Sequence, residues 1–153
     1  MRVTFELNGT TVSLDCEPRR LLSDVLRGDQ GLPSMRTGCE QGVCGSCTVL
    51  LDGAPARACL VLAAQVDGHA VETWEGCART EVGELLAGTV SEAHGLQCGY
   101  CTPGILVSGC AWARTGAATD PRTVLDGHLC RCTGYVQLLE GLYEVQHAVR
   151  RTS

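Results

Sequence analysis

The 153-residue sequence predicts an α+β protein in two parts, a small sheet followed by a set of helices. Three observations carry that prediction. Apolar and polar residues alternate, with Asn-Gly and Asp-Gly punctuation, as far as about Trp74. Helix start and stop signals take over after Gly76. Eight of the eleven cysteines gather in two tight groups, one in each part.

The first elements follow from residues 2–14, where Val3, Phe5 and Leu7 alternate up to Asn8-Gly9 and Val12 and Leu14 resume beyond it, the pattern of a hairpin. From Arg20 to Arg27, Leu21, Leu22, Val25 and Leu26 lie at helical spacing, so a short helix should pack on that sheet. Cys47 to Leu51, the turn Asp52-Gly53 and the segment to Leu60 make a second hairpin, and Asp67-Gly68 leads into a last strand near Val71 to Trp74. A boundary is expected around residues 76–80, dividing the chain into 1–76 and 77–153.

Beyond it, Thr80 is placed to cap a helix reaching His94, with Gly95 to end it. Thr102-Pro103 opens a second helix through Arg114, and Asp120-Pro121 repeats that signature for a short third. Thr133 is placed to cap a fourth, with Val136, Leu139, Leu142, Tyr143 and Val149 on its apolar face.

Composition narrows the function. Seventeen acidic residues against twelve Arg and no Lys give a net charge of −5, without the basic stripe or stacked aromatics that nucleic acid demands. The longest apolar stretch, around Cys59 to Val66, is far too short to span a membrane, and the strand-like N-terminus lacks the look of a secretory signal. The expectation is a soluble, cytoplasmic protein. In that reducing compartment eleven cysteines point to metal rather than to a disulfide framework.

The first group reads Cys39-x4-Cys44-x2-Cys47-x11-Cys59, and its first three intervals are those of plant-type [2Fe-2S] ferredoxins. Gly38, Gly42 and Gly45 let the loop bend so that amide N–H groups point at cluster sulfurs. A tetrathiolate zinc site is the competing reading, although zinc more often sits between two separated Cys-x2-Cys knuckles. The second group, Cys98-x2-Cys101 and Cys130-x1-Cys132, is ambiguous between zinc and iron–sulfur on spacing alone. Each pair precedes an expected helix, and two helix N-termini make a socket for an anionic cluster, expected to be buried. Cys16, Cys77 and Cys110 fall outside both patterns and are expected to be core residues. The four His lack partners at ligand spacing, with His128 the nearest to a cysteine pair. No Gly-x-Gly-x-x-Gly, phosphate loop or Gly-x-Ser-x-Gly offers a seat for nicotinamide, flavin, ATP or a covalent intermediate.

Taken in order, GCEQGVCGSCTV with Cys59, then QCGYCTPG and GHLCRCTGY, resemble the iron–sulfur small subunit of molybdenum hydroxylases of the xanthine oxidase and carbon monoxide dehydrogenase type, over nearly the whole chain. The resemblance implies a β-grasp, plant-type ferredoxin-like domain followed by an all-α four-helix-bundle domain. It implies two [2Fe-2S] clusters, with Cys98, Cys101, Cys130 and Cys132 ligating the one nearer molybdenum and Cys39, Cys44, Cys47 and Cys59 the farther one. It further implies a large molybdopterin-binding partner subunit and a medium FAD-binding one. Electrons would run from molybdenum through the helical-domain cluster and then the ferredoxin-like cluster to FAD, with no catalytic residue on this chain. Gln97 corresponds to the residue that hydrogen-bonds the pterin, and the Cys132 sulfur lies close to it. His128 stands where Asn is frequent, and Cys77 where Ile or Leu is usual.

Overall fold

In the computed structural model, which describes residues 1–152, β1 (Arg2–Leu7) and β2 (Thr10–Asp15) form the first hairpin. It closes as the Asn-Gly pair predicts, because Asn8 and Gly9 both take positive φ, 51° and 81°, matching the twist of the strands. Val3, Phe5 and Leu7 point inward from β1 while their neighbours face solvent. β3 (Thr48–Leu51) and β4 (Ala54–Arg57) form the second hairpin around Asp52-Gly53, and β5 is Ala70–Glu72. The sheet order is β2-β1-β5-β3-β4. It is mixed, since β5 runs parallel to β1 and antiparallel to β3.

The expected helix over Arg20 to Arg27 is present but tightens and loosens within one turn: α1 (Leu22–Asp24) passes into a π-helical turn, Val25–Asp29. Leu22, Val25 and Leu26 are fully buried beneath the sheet with Phe5, Met35 and Val49, which is the packing their spacing predicts.

The chain leaves β5 through the single turn α2 (Trp74–Cys77) and continues as α3 (Glu81–Glu92), α4 (Thr102–Arg114), the one-turn α5 (Arg122–Leu125) and α6 (Val136–Thr152). Thr80 caps α3 as expected, its hydroxyl oxygen accepting from Gly83 N–H at 3.1 Å. The end of α3 differs in detail. His94, not Gly95, takes the left-handed conformation (φ 55°), and Gly95 N–H returns to the Val90 carbonyl at 2.8 Å. Gly95 is needed for space instead, since a Cβ there would lie 3.1 Å from the backbone of Leu138.

The apolar face of α6 is as expected at Leu142 and Val149, which lie in or against the core, and departs from expectation at its start. Val136 is 59% exposed, whereas Leu138 is 1% exposed and lines the core with Leu142 and Val145 at helical spacing. Val136, two positions before Leu138, lies on the opposite face of the helix. Leu138, Leu142, Leu86, Val90, Ile105 and Cys110 form the core of the helical half, which also takes in Leu50 from β3. The two halves are therefore packed on one another along α4 and β3.

Candidate iron–sulfur sites

The loop from Thr37 to Cys47 lies between the π turn and β3, and it reverses direction at Glu40, Gly42 and Gly45, all with positive φ. Gly45 has no alternative: its φ is 77°, and a Cβ would lie 2.4 Å from the His128 ring and 2.6 Å from the Gly127 carbonyl. Gly38 differs from the expected bend, since it has no left-handed φ, and serves by leaving room beside the Cys44 sulfur.

Within this loop Cys44 N–H donates to Cys39 Sγ at 3.4 Å. That N–H, joined by those of Gln41 and Val43, lowers the Cys39 thiol to about 6. Cys47 lies directly before β3 and Cys59 in the 3₁₀ turn Ala58–Leu60, both buried. Burial raises the Cys47 thiol to about 12, with Cys59 as its hydrogen-bond partner. Cys39 is hydrogen-bonded to Cys44 and Cys47 to Cys59, and Cys44 is also near enough to raise the Cys47 thiol.

The second group shows the same pairing. Cys132 Sγ lies 3.5 Å from Cys98 Sγ, and Cys101 hydrogen-bonds Cys130. The backbone N–H of Tyr100 lowers the Cys98 thiol, while the contact with Cys98 raises that of Cys132. Burial raises Cys101 to about 12. At Cys130 burial is outweighed by Thr133, whose hydroxyl lies 3.2 Å from Sγ, so this thiol is lowered. Among the described residues, no three Cys, His, Asp or Glu side chains converge as they would around a single metal ion.

The burial of this second group departs from expectation. Cys101 is buried, immediately ahead of α4, and Cys130 is half-buried, but Cys98 and Cys132 are exposed. Both lie in loops that have not yet entered a helix, and both face outward. Gln97 beside them is exposed as well. Cys16, Cys77 and Cys110 are buried in the two cores, with Cys77 and Cys110 hydrogen-bonded to one another.

Several residues that fix these loops went unmarked in the sequence. Tyr135 accepts from Cys130 N–H at 2.8 Å and donates to the His128 carbonyl at 3.1 Å. Tyr100 donates to the Thr37 carbonyl at 2.9 Å, tying the second group to the first. The available signal was their adjacency, since Tyr100 follows Cys98 by two residues in CysGlyTyr and Tyr135 follows Cys132 by three in CysThrGlyTyr. His128 is almost fully buried, with Nε2 2.8 Å from Ser108 Oγ; burial and the nearby Arg57 lower its pKa to about 4, leaving it neutral.

A sheet with a thiol-rich glycine loop, joined to a helical unit with a second set of four thiols, is the architecture of an iron–sulfur electron carrier. Residues 5–80 match the 2Fe-2S iron-sulfur cluster binding domain family and residues 73–143 match the [2Fe-2S] binding domain family. The chain is 46% identical to the 6-hydroxypseudooxynicotine dehydrogenase complex subunit beta of Paenarthrobacter nicotinovorans, over 95% of this chain and 94% of that one. It is 40% identical to the nicotinate dehydrogenase small FeS subunit of Eubacterium barkeri, over 97% and 95%. The crystal structure of quinoline 2-oxidoreductase from Pseudomonas putida 86 superposes with a TM-score of 0.88 at 43% identity, covering 99% of this chain and 96% of that one. The chain belongs to the family of small iron–sulfur subunits of the molybdenum hydroxylases. It is a non-catalytic, electron-transferring subunit of an oxidoreductase. No helix among the described residues is long and apolar enough to cross a membrane.

Proposed function

We propose that the chain carries electrons from a molybdopterin centre in a large partner subunit, through two [2Fe-2S] clusters, to FAD in a medium partner subunit. Residues 1–76 would hold one cluster on Cys39, Cys44, Cys47 and Cys59, and residues 77–153 the other on Cys98, Cys101, Cys130 and Cys132. The observation that carries this reading is the pairing of sulfurs. A two-iron rhomb needs two thiolates on each iron, whereas a mononuclear tetrahedral zinc draws four sulfurs to one point. Two pairs per site fit the first requirement.

When bound, such a cluster supplies a one-electron carrier. The chain's own residues do the rest. The amides of Gln41, Val43 and Cys44 around Cys39, and the Thr133 hydroxyl beside Cys130, stabilise thiolate charge. Cys47 and Cys101, whose thiols are raised by burial, are the ones that metal must deprotonate. The open edge at Cys98 and Cys132, with Gln97 alongside, is the face we assign to the pterin-bearing partner. The wealth of reduced thiols favours the cytoplasm as the compartment.

Iron analysis with electron paramagnetic resonance tests the assignment. About four irons per chain and two distinct reduced signals are expected; a single signal at full iron, or a colourless protein with stoichiometric zinc, overturns it. Gln97→Ala should leave both signals intact. In the assembled enzyme it should weaken pterin binding by about 1 kcal/mol or more if the partner group is left buried and unsatisfied.

A further inference from the structure

A cleft opens beside the first thiol loop, with a volume of about 270 Å³. It is lined by Arg27 from the π-helical turn and by Gly31, Leu32, Pro33 and Arg36 from the segment that leads into Cys39. Its walls are already set. Leu32 N–H returns to the Leu26 carbonyl at 3.0 Å, Met35 N–H to the Leu32 carbonyl at 3.3 Å, and the Arg27 guanidinium donates to the Met35 carbonyl at 2.8 Å.

Arg36 stands without an acceptor. Its Nε is shut off from solvent and has no hydrogen-bond partner, and among the described residues no carboxylate pairs with its guanidinium. The side chains of Arg19, Arg79 and Arg131 also lack a partner there, but they are exposed and meet water. Arg36 is half-buried, its guanidinium 5.7 Å from the centre of the Tyr100 ring. The acids that reach this segment are already taken. Asp29 is paired with Arg20 at 2.8 Å, and Glu75 accepts from Ser34 N–H at 2.9 Å and from the hydroxyls of Ser34 and Thr73. The chain carries a net charge of −5 and still supplies no anion to this cleft. A cation partly withdrawn from water without a partner costs stability, which points to an acceptor from outside the chain.

Size and surroundings select that acceptor. The volume falls below the roughly 300–1,000 Å³ of pockets that enclose whole ligands, so a single small anionic group fits. A guanidinium fork matches a planar carboxylate, two bonds to two oxygens. Leu32 and Pro33 form an apolar lip, and Tyr100, beneath Arg36, is 42% exposed. An arginine backed by an exposed aromatic ring is the makeup of a protein–protein contact rather than of a seat for a diffusing ion. Tyr100 also stands between Cys98 and Cys101, so the cleft borders the face assigned above to a partner.

We infer that this cleft takes the carboxylate of one Asp or Glu side chain of a partner subunit, gripped by the Arg36 guanidinium with Arg27 on the opposite wall. The inference rests on the assembly proposed above but not on the assignment of cluster ligands.

The test compares Arg36→Gln and Arg36→Lys in the cluster-loaded full chain, each titrated against the other subunits of its complex. Arg36→Gln should weaken association about tenfold or more and flatten its salt dependence. Arg36→Lys, which keeps the charge and loses the fork, should fall between. Iron content, both resonance signals and the thermal midpoint of the free chain should stay parental, because Arg36 makes no hydrogen bond within it. Parental association in Arg36→Gln overturns the inference, and so does loss of a cluster, which would make Arg36 part of the loop's own framework. Titration of the free chain with sodium acetate and with inorganic phosphate separates the other source. Saturable binding of either, lost in Arg36→Gln while association stays parental, overturns the partner's carboxylate in favour of a free anion. Failure of the assembly reading is seen separately, since the parental chain would then bind no other subunit.

Discussion

The two thiol sets have the same donors and differ in how far the chain covers them, although exposed apolar side chains flank both, Val43 and Leu60 beside the first. The first is completed by the chain itself: a glycine loop folds amides over Cys39, while Cys47 and Cys59 sink beneath the sheet. The second is half a socket. Cys101 is buried at the head of α4, but Cys98 and Cys132 open onto a surface fringed by the exposed side chains of Leu96, Leu129 and Val136. Exposed apolar residues around an exposed redox site are what a docking face requires. A loop can wrap a thiol set by itself, whereas helix ends present only one side.

Removing one cysteine from each set breaks the comparison most severely. Cys47→Ser should abolish the first cluster and Cys98→Ser the second, each halving the iron and leaving the other resonance signal. A variant that loses both clusters would show the sites to be interdependent.

Next in size is Gly104→Ala, because a Cβ there falls 2.3 Å from the Gly45 carbonyl oxygen. Overpacking of this kind costs about 1–3 kcal/mol. The lowered midpoint should be visible in a thermal melt, and the signals of both clusters should shift together, since the clash lies on the seam.

Glu72→Gln has a smaller effect. Arg114 on α4 grips the Glu72 carboxylate of β5 in a two-pronged ion pair at 2.6 and 2.8 Å, and that contact lowers the Glu72 pKa. A depressed carboxyl contributes stability above its unfolded pKa and loses it as pH falls through the folded one. The substitution should thus cost on the order of 0.5–1 kcal/mol at neutral pH, discounted for partial exposure, and nothing in strong acid. Melts of both proteins across the acidic range would show the two curves converging.

Smallest of all, Cys16→Ser, Cys77→Ser and Cys110→Ser should leave iron content and both signals unchanged, as these buried thiols are surplus to two sets of four. Loss of a cluster in any of them would mean a misassigned ligand.

The sequence was most legible where chemistry depends on order along the chain. Asn8-Gly9, Asp52-Gly53 and the Thr80 cap are local signals, and each reads out in the structure as the expected turn or cap. It was least legible where the outcome depends on what lies opposite. Nothing in QCGYC or LCRC says which way the loop faces, so the exposure of Cys98 and Cys132 could not be read from them. The phase of α6 depended on which of its faces meets the core, and Val136 and Leu138, two positions apart and so on nearly opposite faces, cannot both be buried. The open cleft at Arg36 left no trace, because whether an arginine finds a carboxylate depends on which acids fold beside it.

The bare contact of Gly104 on Gly45 makes the separation of the two sites behave like a fixed ruler. Where backbone rests on backbone, side chains elsewhere can drift without altering the spacing. Halves exchanged between related subunits would keep the same gauge as long as both glycines survive, and a chimaera lacking either one would fail at the joint before it failed at a cluster.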